Sequence, residues 1–354
     1  MNFEHHPLSD IQVLTSHKGH IPINTFSLLC RKLNSETLVK FAKTVWGWGH
    51  NESYQLGTQH NIAPEHTYDI ITLRRKNIVK ISGGSSFSMI LTKSGALYSW
   101  GINDRCQLGF GTQPASIQVA KRIPFSLRKV IVDFACGAIY TLAGSVYVWG
   151  IDKQLPRKAE VLKGHKIVKV FCSTTANTSF AVTSEGNLLV WGEQLKEPVL
   201  QPIKNVVDVA CSTRNGAIVL DSSGDVYTTK SGVLNKPVYT PIKEIQDEIV
   251  VQISSGLCIF ALLTKRGRIF VNDGLVTKEI HIPDRVISIS CGQIEVIAAT
   301  HGGEVWSFSN VGGTKFLDEM TKKTTRPNPQ KMKISGKAFS VGAGASHFFA
   351  LCED

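Results

Sequence analysis

Residues that could do bond chemistry are scattered along this 354-residue chain and are not gathered in motifs. Acyl transfer favours a Gly-x-Ser-x-Gly turn, zinc hydrolysis a His-Glu-x-x-His helix, and nucleotide hydrolysis a phosphate-binding glycine loop; the sequence contains none of these. His347 and Cys352 lie five apart on one predicted strand, so they point to opposite faces. We therefore predict a non-enzymatic protein without catalytic residues, metal or cofactor.

The eight cysteines also argue against a reactive thiol site and against a disulfide-linked module. None forms a Cys-x-x-Cys pair, and their long spacing differs from that of small disulfide-rich secreted modules. We predict free thiols in an intracellular, reducing compartment, the cytoplasm and/or the nucleus, with the mitochondrion as an alternative. No apolar run has the length of about 18–20 residues that crosses a bilayer, so no transmembrane segment is expected.

Positive charge is the one chemical feature that is concentrated locally. The chain has a formal net charge of +11. A segment over 58–77 ends in Arg74, Arg75 and Lys76, and a second over 311–337 contains Lys322, Lys323 and Arg326. Both are interpreted as insertions, the second as a long loop. These six cations are the candidate partner-binding residues, because clustered Lys and Arg attract anions. A merely solvated charged loop stays the alternative.

A repeat organises the chain around these segments. The element Trp48-Gly49-x-Asn51-x-x-x-Gln55-Leu56-Gly57 returns with all six named residues at an offset of 52, as Trp100-Gly101 to Gln107-Leu108-Gly109. A fixed period of this length is typical of propellers and solenoids.

A second marker is a tight turn followed by an alternating strand, as in Ser94-Gly95-Ala96-Leu97-Tyr98-Ser99-Trp100. Glycine allows the positive φ that such hairpin turns require, and the alternation indicates a strand with two unlike faces. Corresponding glycines are Gly144, Gly186, Gly224, Gly267 and Gly303.

A third marker precedes each hairpin, where an apolar strand runs into a small residue. The seven aligned positions are Gly83, Cys136, Cys172, Cys211, Ser255, Cys291 and Ala343. A position that admits only small side chains predicts close packing where sheets converge on an axis, and it makes these cysteines space-fillers.

Together the markers predict an all-β fold, a seven-bladed β-propeller of four-stranded antiparallel blades over 44–354. The last repeat lacks a hairpin strand, and the strand Thr44–Gly49 lacks a partner. We expect this N-terminal strand to pair with the C-terminal blade and close the ring, since unpaired edges are unfavourable. Residues 1–43 are predicted to be a tail, flexible or partly helical.

The Trp-Gly-x-Asn and Gln-Leu-Gly elements resemble the regulator-of-chromosome-condensation repeat, whereas the Trp-Asp pair of the rival WD propellers is absent. The resemblance covers 44–354 and weakens after the second unit; of the family's recurring histidine only His347 remains. It implies a monomeric interaction scaffold or adaptor that binds a protein partner through loops on the propeller faces. The alternative is a guanine-nucleotide exchange factor or regulator of a Ras-like small GTPase of the Ran type. A small GTPase, a chromatin-associated protein or another acidic protein are the implied partners, and nucleic acid stays open.

Overall fold

The computed structural model describes most of the predicted propeller. The described residues are 42–63, 66–112, 114–124, 133–135, 140–143, 145–150, 153–172, 178–192, 195, 197–212, 216–229, 237–257, 259–272, 277–309 and 329–353.

The described residues form 28 strands, which assemble into seven four-stranded antiparallel sheets. The bounds are, in chain order: β1 Thr44–Gly49 and β2 Tyr68–Asp69; sheet 1, β3 Ile78–Gly83, β4 Phe87–Thr92, β5 Leu97–Ile102 and β6 Ser116–Arg122; sheet 2, β7 Asp133–Phe134, β8 Tyr140–Ala143, β9 Ser145–Gly150 and β10 Lys153–Lys158; sheet 3, β11 Ile167–Cys172, β12 Thr178–Thr183, β13 Leu188–Gly192 and β14 Val199–Leu200; sheet 4, β15 Val206–Ser212, β16 Gly216–Asp221, β17 Val226–Thr228 and β18 Thr240–Pro241; sheet 5, β19 Val250–Ser255, β20 Phe260–Thr264, β21 Ile269–Asn272 and β22 Thr277–Ile280; sheet 6, β23 Val286–Cys291, β24 Glu295–Thr300, β25 Val305–Ser309 and β26 Gln330–Lys331; sheet 7, β27 Lys337–Ala343 and β28 His347–Glu353 with β1 and β2.

Five of the sheets contain, as the sequence predicts, a hairpin around a glycine with positive φ, whereas Gly144 of sheet 2 lies outside the described residues. Gly95 (φ 78°) connects β4 to β5, and Gly186, Gly224, Gly267 and Gly303 do the same in sheets 3 to 6. At Gly267 an added Cβ would lie 2.3 Å from a side-chain carbon of Arg285, so steric crowding also favours glycine there. The all-β propeller of four-stranded antiparallel blades is confirmed.

Sheet 7 joins the two ends of the described chain. β1 pairs with β28 in antiparallel register from Thr44 opposite Cys352 to Gly49 opposite His347. The residues just before β1 are also held, because the Ala42 amide donates to the Ile78 carbonyl at 2.8 Å.

Neighbouring sheets are linked through a polar residue at the third position of the innermost strands. Lys80 Nζ donates to the Phe134 carbonyl at 2.7 Å, and Lys169 Nζ lies 2.5 Å from Asp208 Oδ2. Gln252 exchanges two hydrogen bonds with the backbone of Ile289. These groups reach from sheet 1 to 2, from 3 to 4 and from 5 to 6, so they join three pairs of neighbouring sheets.

The turns between first and second strands form a hydrogen-bonded series at one end of the molecule. The Ala345 amide donates to the Gly84 carbonyl, the Gln293 amide to Ala345, and the Leu257 amide to Gln293. The Ser212 hydroxyl donates to the Leu257 carbonyl at 2.7 Å. The series therefore runs from sheet 4 through sheets 5, 6 and 7 to sheet 1.

The hydrophobic core is divided into layers between adjacent sheets. Six clusters of buried side chains each contain residues of neighbouring sheets. The largest packs Phe349 of sheet 7 against Trp100 of sheet 1 and includes Trp149 of sheet 2. Each sheet is thus covered on both sides by other sheets, which explains its near-continuous burial.

The two ends of the sheets form two faces. The hairpin face carries the turns between second and third strands, such as Ser94–Gly95, and the connections from one sheet to the next. The motif face carries the turns between first and second strands and the loops over 103–115 and 51–67.

The two segments interpreted as insertions each contain the fourth strand of a sheet, so this interpretation is wrong. Residues 58–77 include β2 and a short 3-10 turn over Ile71–Leu73, and residues 311–337 include β26. Both strands have only two residues, too few to show an alternating pattern. Residues 310–328 lie outside the described part of the chain.

Candidate partner-binding surface

The polar residues of the repeat motif are buried and are used by the fold itself. Asn51 Nδ2 donates to the carbonyls of His60 and Ile62 at 2.8 and 3.0 Å, and its Oδ1 accepts from the Leu56 amide. Asn103 holds the next loop in the same way, through Gly111 and Leu108. These asparagines therefore shape the loops of the motif face.

The Gln-Leu-Gly element joins one sheet to the next. The indole of Trp100 donates to the Gln55 carbonyl at 2.8 Å, and that of Trp149 donates to the Gln107 carbonyl at 2.8 Å. Gly57 (φ 73°) lies so near the Trp100 indole that an added Cβ would come within 2.9 Å of Nε1. The motif therefore joins neighbouring sheets, and the two indole N–H groups are occupied by these hydrogen bonds.

His347 and Ser88 form a contact of the kind used in acyl transfer, but this pair too is buried. His347 Nε2 lies 2.8 Å from Ser88 Oγ, and neither residue is exposed. The Ser88 hydroxyl also donates to the Gln55 carbonyl. Burial lowers the pKa of His347 to about 3, so the imidazole is neutral at physiological pH.

The buried imidazole makes stability depend on pH. An unfolded histidine has a pKa of about 6.5, so below that pH the unfolded chain binds a proton that the folded chain does not. The free energy of unfolding should fall by about 1.4 kcal/mol per pH unit from pH 6.5 downward through this residue. Between pH 7.5 and 5 this residue should therefore lower the free energy of unfolding by about 2 kcal/mol in total, a loss that should be absent from His347→Phe. Phe is chosen because Phe87 occupies the matching position of sheet 1.

Urea unfolding of the two proteins at both pH values measures the difference in slope. Substitution of the exposed His165 by Asn should leave the slope unchanged. Equal pH slopes in the wild type and His347→Phe would contradict a neutral buried imidazole.

The described cysteines show no nucleophilic or metal-binding arrangement. Cys106, Cys172, Cys211, Cys291 and Cys352 are free thiols. Burial raises the pKa of Cys291 to about 12, which keeps it a thiol. Among the residues that the structure describes, no group of three or more His, Cys, Asp or Glu could hold a metal ion.

The first predicted basic cluster lies on the hairpin face, in the turn from β2 to β3. Arg74 forms an ion pair with Asp69, so part of its charge is neutralised. Arg75 is exposed and has a φ of 61°, and Lys76 Nζ lies 4.8 Å from the centre of the Tyr98 ring. The turn therefore presents Arg75 and Lys76 to solvent, with Arg74 held at their side.

Two further cations extend this cluster, and the sequence did not indicate them. Arg122 is opposite Tyr98 in the β5–β6 pair, directly beside the ring that Lys76 covers. Lys121 is exposed, and its Nζ lies 5.2 Å from the centre of the Phe110 ring. Among the described residues, no carboxylate forms an ion pair with Arg75, Lys121 or Arg122.

Lys322, Lys323 and Arg326 lie outside the described residues. The strands that flank them, β25 and β26, end and begin at the motif face. The Arg74 turn lies at the hairpin face. The two predicted clusters are thus attached to opposite faces, and the structure gives no support for treating them as one surface.

Comparison with known proteins identifies the repeat. Models described as "Regulator of chromosome condensation (RCC1) repeat" match residues 44–91 and 94–143, and a second such model matches 78–107. The E3 ubiquitin-protein ligase HERC2 of Mus musculus is 25% identical over 92% of this chain, but the chain covers only 8% of HERC2. Protein RCC2 of Mus musculus is 25% identical over 88% of this chain and 64% of its own length.

A solved structure agrees in fold. That of Prp20p from Saccharomyces cerevisiae superposes with a TM-score of 0.73 and 16% identity over 88% of this chain and 91% of that one. Within the described part of the chain, no helix has the length and apolar character needed to span a membrane. The chain therefore contains RCC1 repeats over residues 44–143, and its sheets have the architecture of a β-propeller similar in sequence to Protein RCC2 and in fold to Prp20p.

Proposed function

We propose that this propeller is an interaction scaffold that captures an anionic protein partner on its hairpin face. The observation that carries the proposal is the cluster of Arg75, Lys76 and Arg122, which is exposed or half-exposed and has no carboxylate within ion-pair distance among the described residues. Clustered cations of this kind attract and orient an acidic surface. Binding is the proposed action of the scaffold, and the Ser88–His347 pair is buried away from any substrate.

We infer that the seven sheets form one closed ring and that β1 seals it. Links between neighbouring sheets, including Lys80 to Phe134, Lys169 to Asp208, Gln252 to Ile289 and Ala345 to Gly84, support the ring. The pairing of β1 with β28 supports the seal. We keep the division into a tail over 1–43 and a propeller over 44–354 as part of the proposal, although Ala42 already contacts Ile78.

Regulation of a small GTPase is the second candidate function. Prp20p has been characterised for its binding to Gsp1p and histones, and the similarity in fold favours this candidate for the present chain. Release of a fluorescent GDP from a panel of Ras-like GTPases separates the two functions. An acceleration of several orders of magnitude by the full chain would favour the exchange factor over the scaffold.

An intracellular location agrees with the proposed role. The five described cysteines are free, and four of them are buried. Free thiols are typical of proteins in reducing compartments. We propose the cytoplasm and/or the nucleus as the place where the scaffold meets its partner.

Charge reversal tests the binding face. In the variant Arg75→Glu, Lys76→Glu, Arg122→Glu, we expect partners captured by the tagged full chain to fall by about tenfold at low salt, because favourable charge pairs become repulsive. Mass spectrometry of captured proteins at low and high salt measures the loss. The matched control is Lys243→Glu, Lys265→Glu, Lys278→Glu, which changes the same number of exposed charges in the later sheets. Identical capture by both variants would contradict the proposal.

A further inference from the structure

Positive charge is concentrated over sheets 1 and 2. Residues 69–169, which form sheets 1 and 2 with their connections, hold 16 of the 39 Lys and Arg but five of the 28 Asp and Glu. Residues 197–304, which span sheets 4 to 6, hold 10 Lys and Arg against 12 Asp and Glu. Most of the net positive charge of the propeller therefore comes from residues 69–169, and the segment over 311–337 adds a smaller part.

Six exposed cations of residues 69–169 lie on the hairpin face. The strands β6 and β10 both end there, with Lys121 and Arg122 on the first and Arg157 and Lys158 on the second, and all four are exposed. The connection from β10 to β11 adds Lys163 and Lys166, which are also exposed. The cluster around Arg75 thus continues over sheet 2 to the beginning of sheet 3.

Apolar side chains are exposed among these cations. Ile71, three residues before Arg74, is 62% exposed, and Val161, two residues before Lys163, is 39% exposed. Each belongs to a short 3-10 turn whose neighbour, Leu73 or Leu162, is buried in the core. The core therefore fixes the backbone that carries both exposed side chains.

This mixture favours one class of partner. A nucleic-acid backbone offers phosphates but no apolar group for Ile71 and Val161, whereas protein interfaces combine apolar anchors with a polar rim. The Lys76–Tyr98 contact adds aromatic surface beneath one of the cations.

We propose that the hairpin face of sheets 1 to 3 binds an extended acidic segment of a partner protein in which apolar residues alternate with Asp and Glu. The carboxylates would pair with Arg75, Arg122, Arg157 and Lys163, and the apolar residues would cover Ile71 and Val161. This inference rests on the proposed scaffold function and names the chemistry of its partner. It also extends the surface to sheet 2, which the cluster around Arg75 does not include.

Fluorescence anisotropy on the full chain tests the inference with three labelled probes. These are a peptide of alternating acidic and apolar residues, a polyglutamate peptide of equal charge, and a short DNA duplex. We expect the mixed peptide to bind at least about tenfold more tightly than polyglutamate, because only it covers the apolar side chains. Equal or tighter binding of polyglutamate or of DNA would overturn the inference.

Variants assign the contacts. The variant Arg157→Glu, Lys158→Glu, Lys163→Glu should weaken binding of the mixed peptide by about tenfold, and Ile71→Ser with Val161→Ser should weaken it by about fivefold without changing its salt dependence. The control Lys243→Glu, Lys265→Glu, Lys278→Glu should bind as the wild type does. If Arg75→Glu, Lys76→Glu, Arg122→Glu weakened binding of the mixed peptide but the sheet 2 variant did not, the inference would be overturned. The proposed function would remain intact.

Discussion

Deletion of residues 44–49 is expected to abolish the cooperative unfolding transition of the whole domain. The strand carries Val45 and Trp48, which are 0% and 6% exposed, and it covers the edge of β28 from His347 to Cys352. Loss of these two side chains from the core costs about 5–8 kcal/mol, and the exposed edge adds unpaired backbone groups. Because a domain is stable by only about 5–15 kcal/mol, this loss removes most of the margin.

Thermal unfolding followed by circular dichroism measures the effect. Deletion of residues 1–40, which leaves Ala42 and its bond to Ile78 in place, should shift the transition far less. Similar transitions for both truncations would show that β1 does not seal the ring.

Replacement of Trp100 by Ala should be the most destabilising single substitution in the repeat motif. The side chain is fully buried, lies edge-on to Phe349 and donates to the Gln55 carbonyl. Removal of a buried Trp side chain costs about 3–5 kcal/mol, and loss of the hydrogen bond adds about 1 kcal/mol. The expected loss is therefore about 4–6 kcal/mol, taken from the layer between sheets 1 and 7.

Urea unfolding of three variants separates the contributions. Trp100→Phe keeps an aromatic ring but removes the indole N–H, so its loss should be less than half that of Trp100→Ala. Trp306→Ala serves as the control. Trp306 is only half-buried, and its indole N–H donates to the side chain of Glu304, two residues earlier, and not to a neighbouring sheet. If Trp100→Ala and Trp306→Ala lowered the free energy of unfolding equally, the motif would not be what joins neighbouring sheets.

The repeat was predictable because its residues meet the same steric and hydrogen-bonding requirements in several sheets. Gly95 and its counterparts need a positive φ, and the small residues such as Cys172 and Cys291 lie where the innermost strands pack closely. Trp100 and Gln55 recur together because one bonds to the other across two sheets. Steric and hydrogen-bonding requirements of this kind leave a visible period in the sequence.

The binding surface was only partly predictable, because it depends on which strand ends meet. Arg74 to Lys76 form a run and are easily seen, but Lys121 and Arg122 become their neighbours only through the β5–β6 register. The pairing of Arg74 with Asp69 is likewise a product of the turn. The sequence predicts insertions where the two-residue strands β2 and β26 lie, since two residues cannot display a strand period.

One engineered cross-link tests the seal of the ring most directly. Thr44 lies opposite Cys352, a native free cysteine, so Thr44→Cys places two thiols at facing positions of β1 and β28, within the range that a disulfide spans. Under mild oxidation of the folded full chain, we predict a disulfide between positions 44 and 352, identified by mass spectrometry, and none in the control Thr240→Cys. Quantitative alkylation of the new thiol at position 44 under the same native conditions would contradict the account.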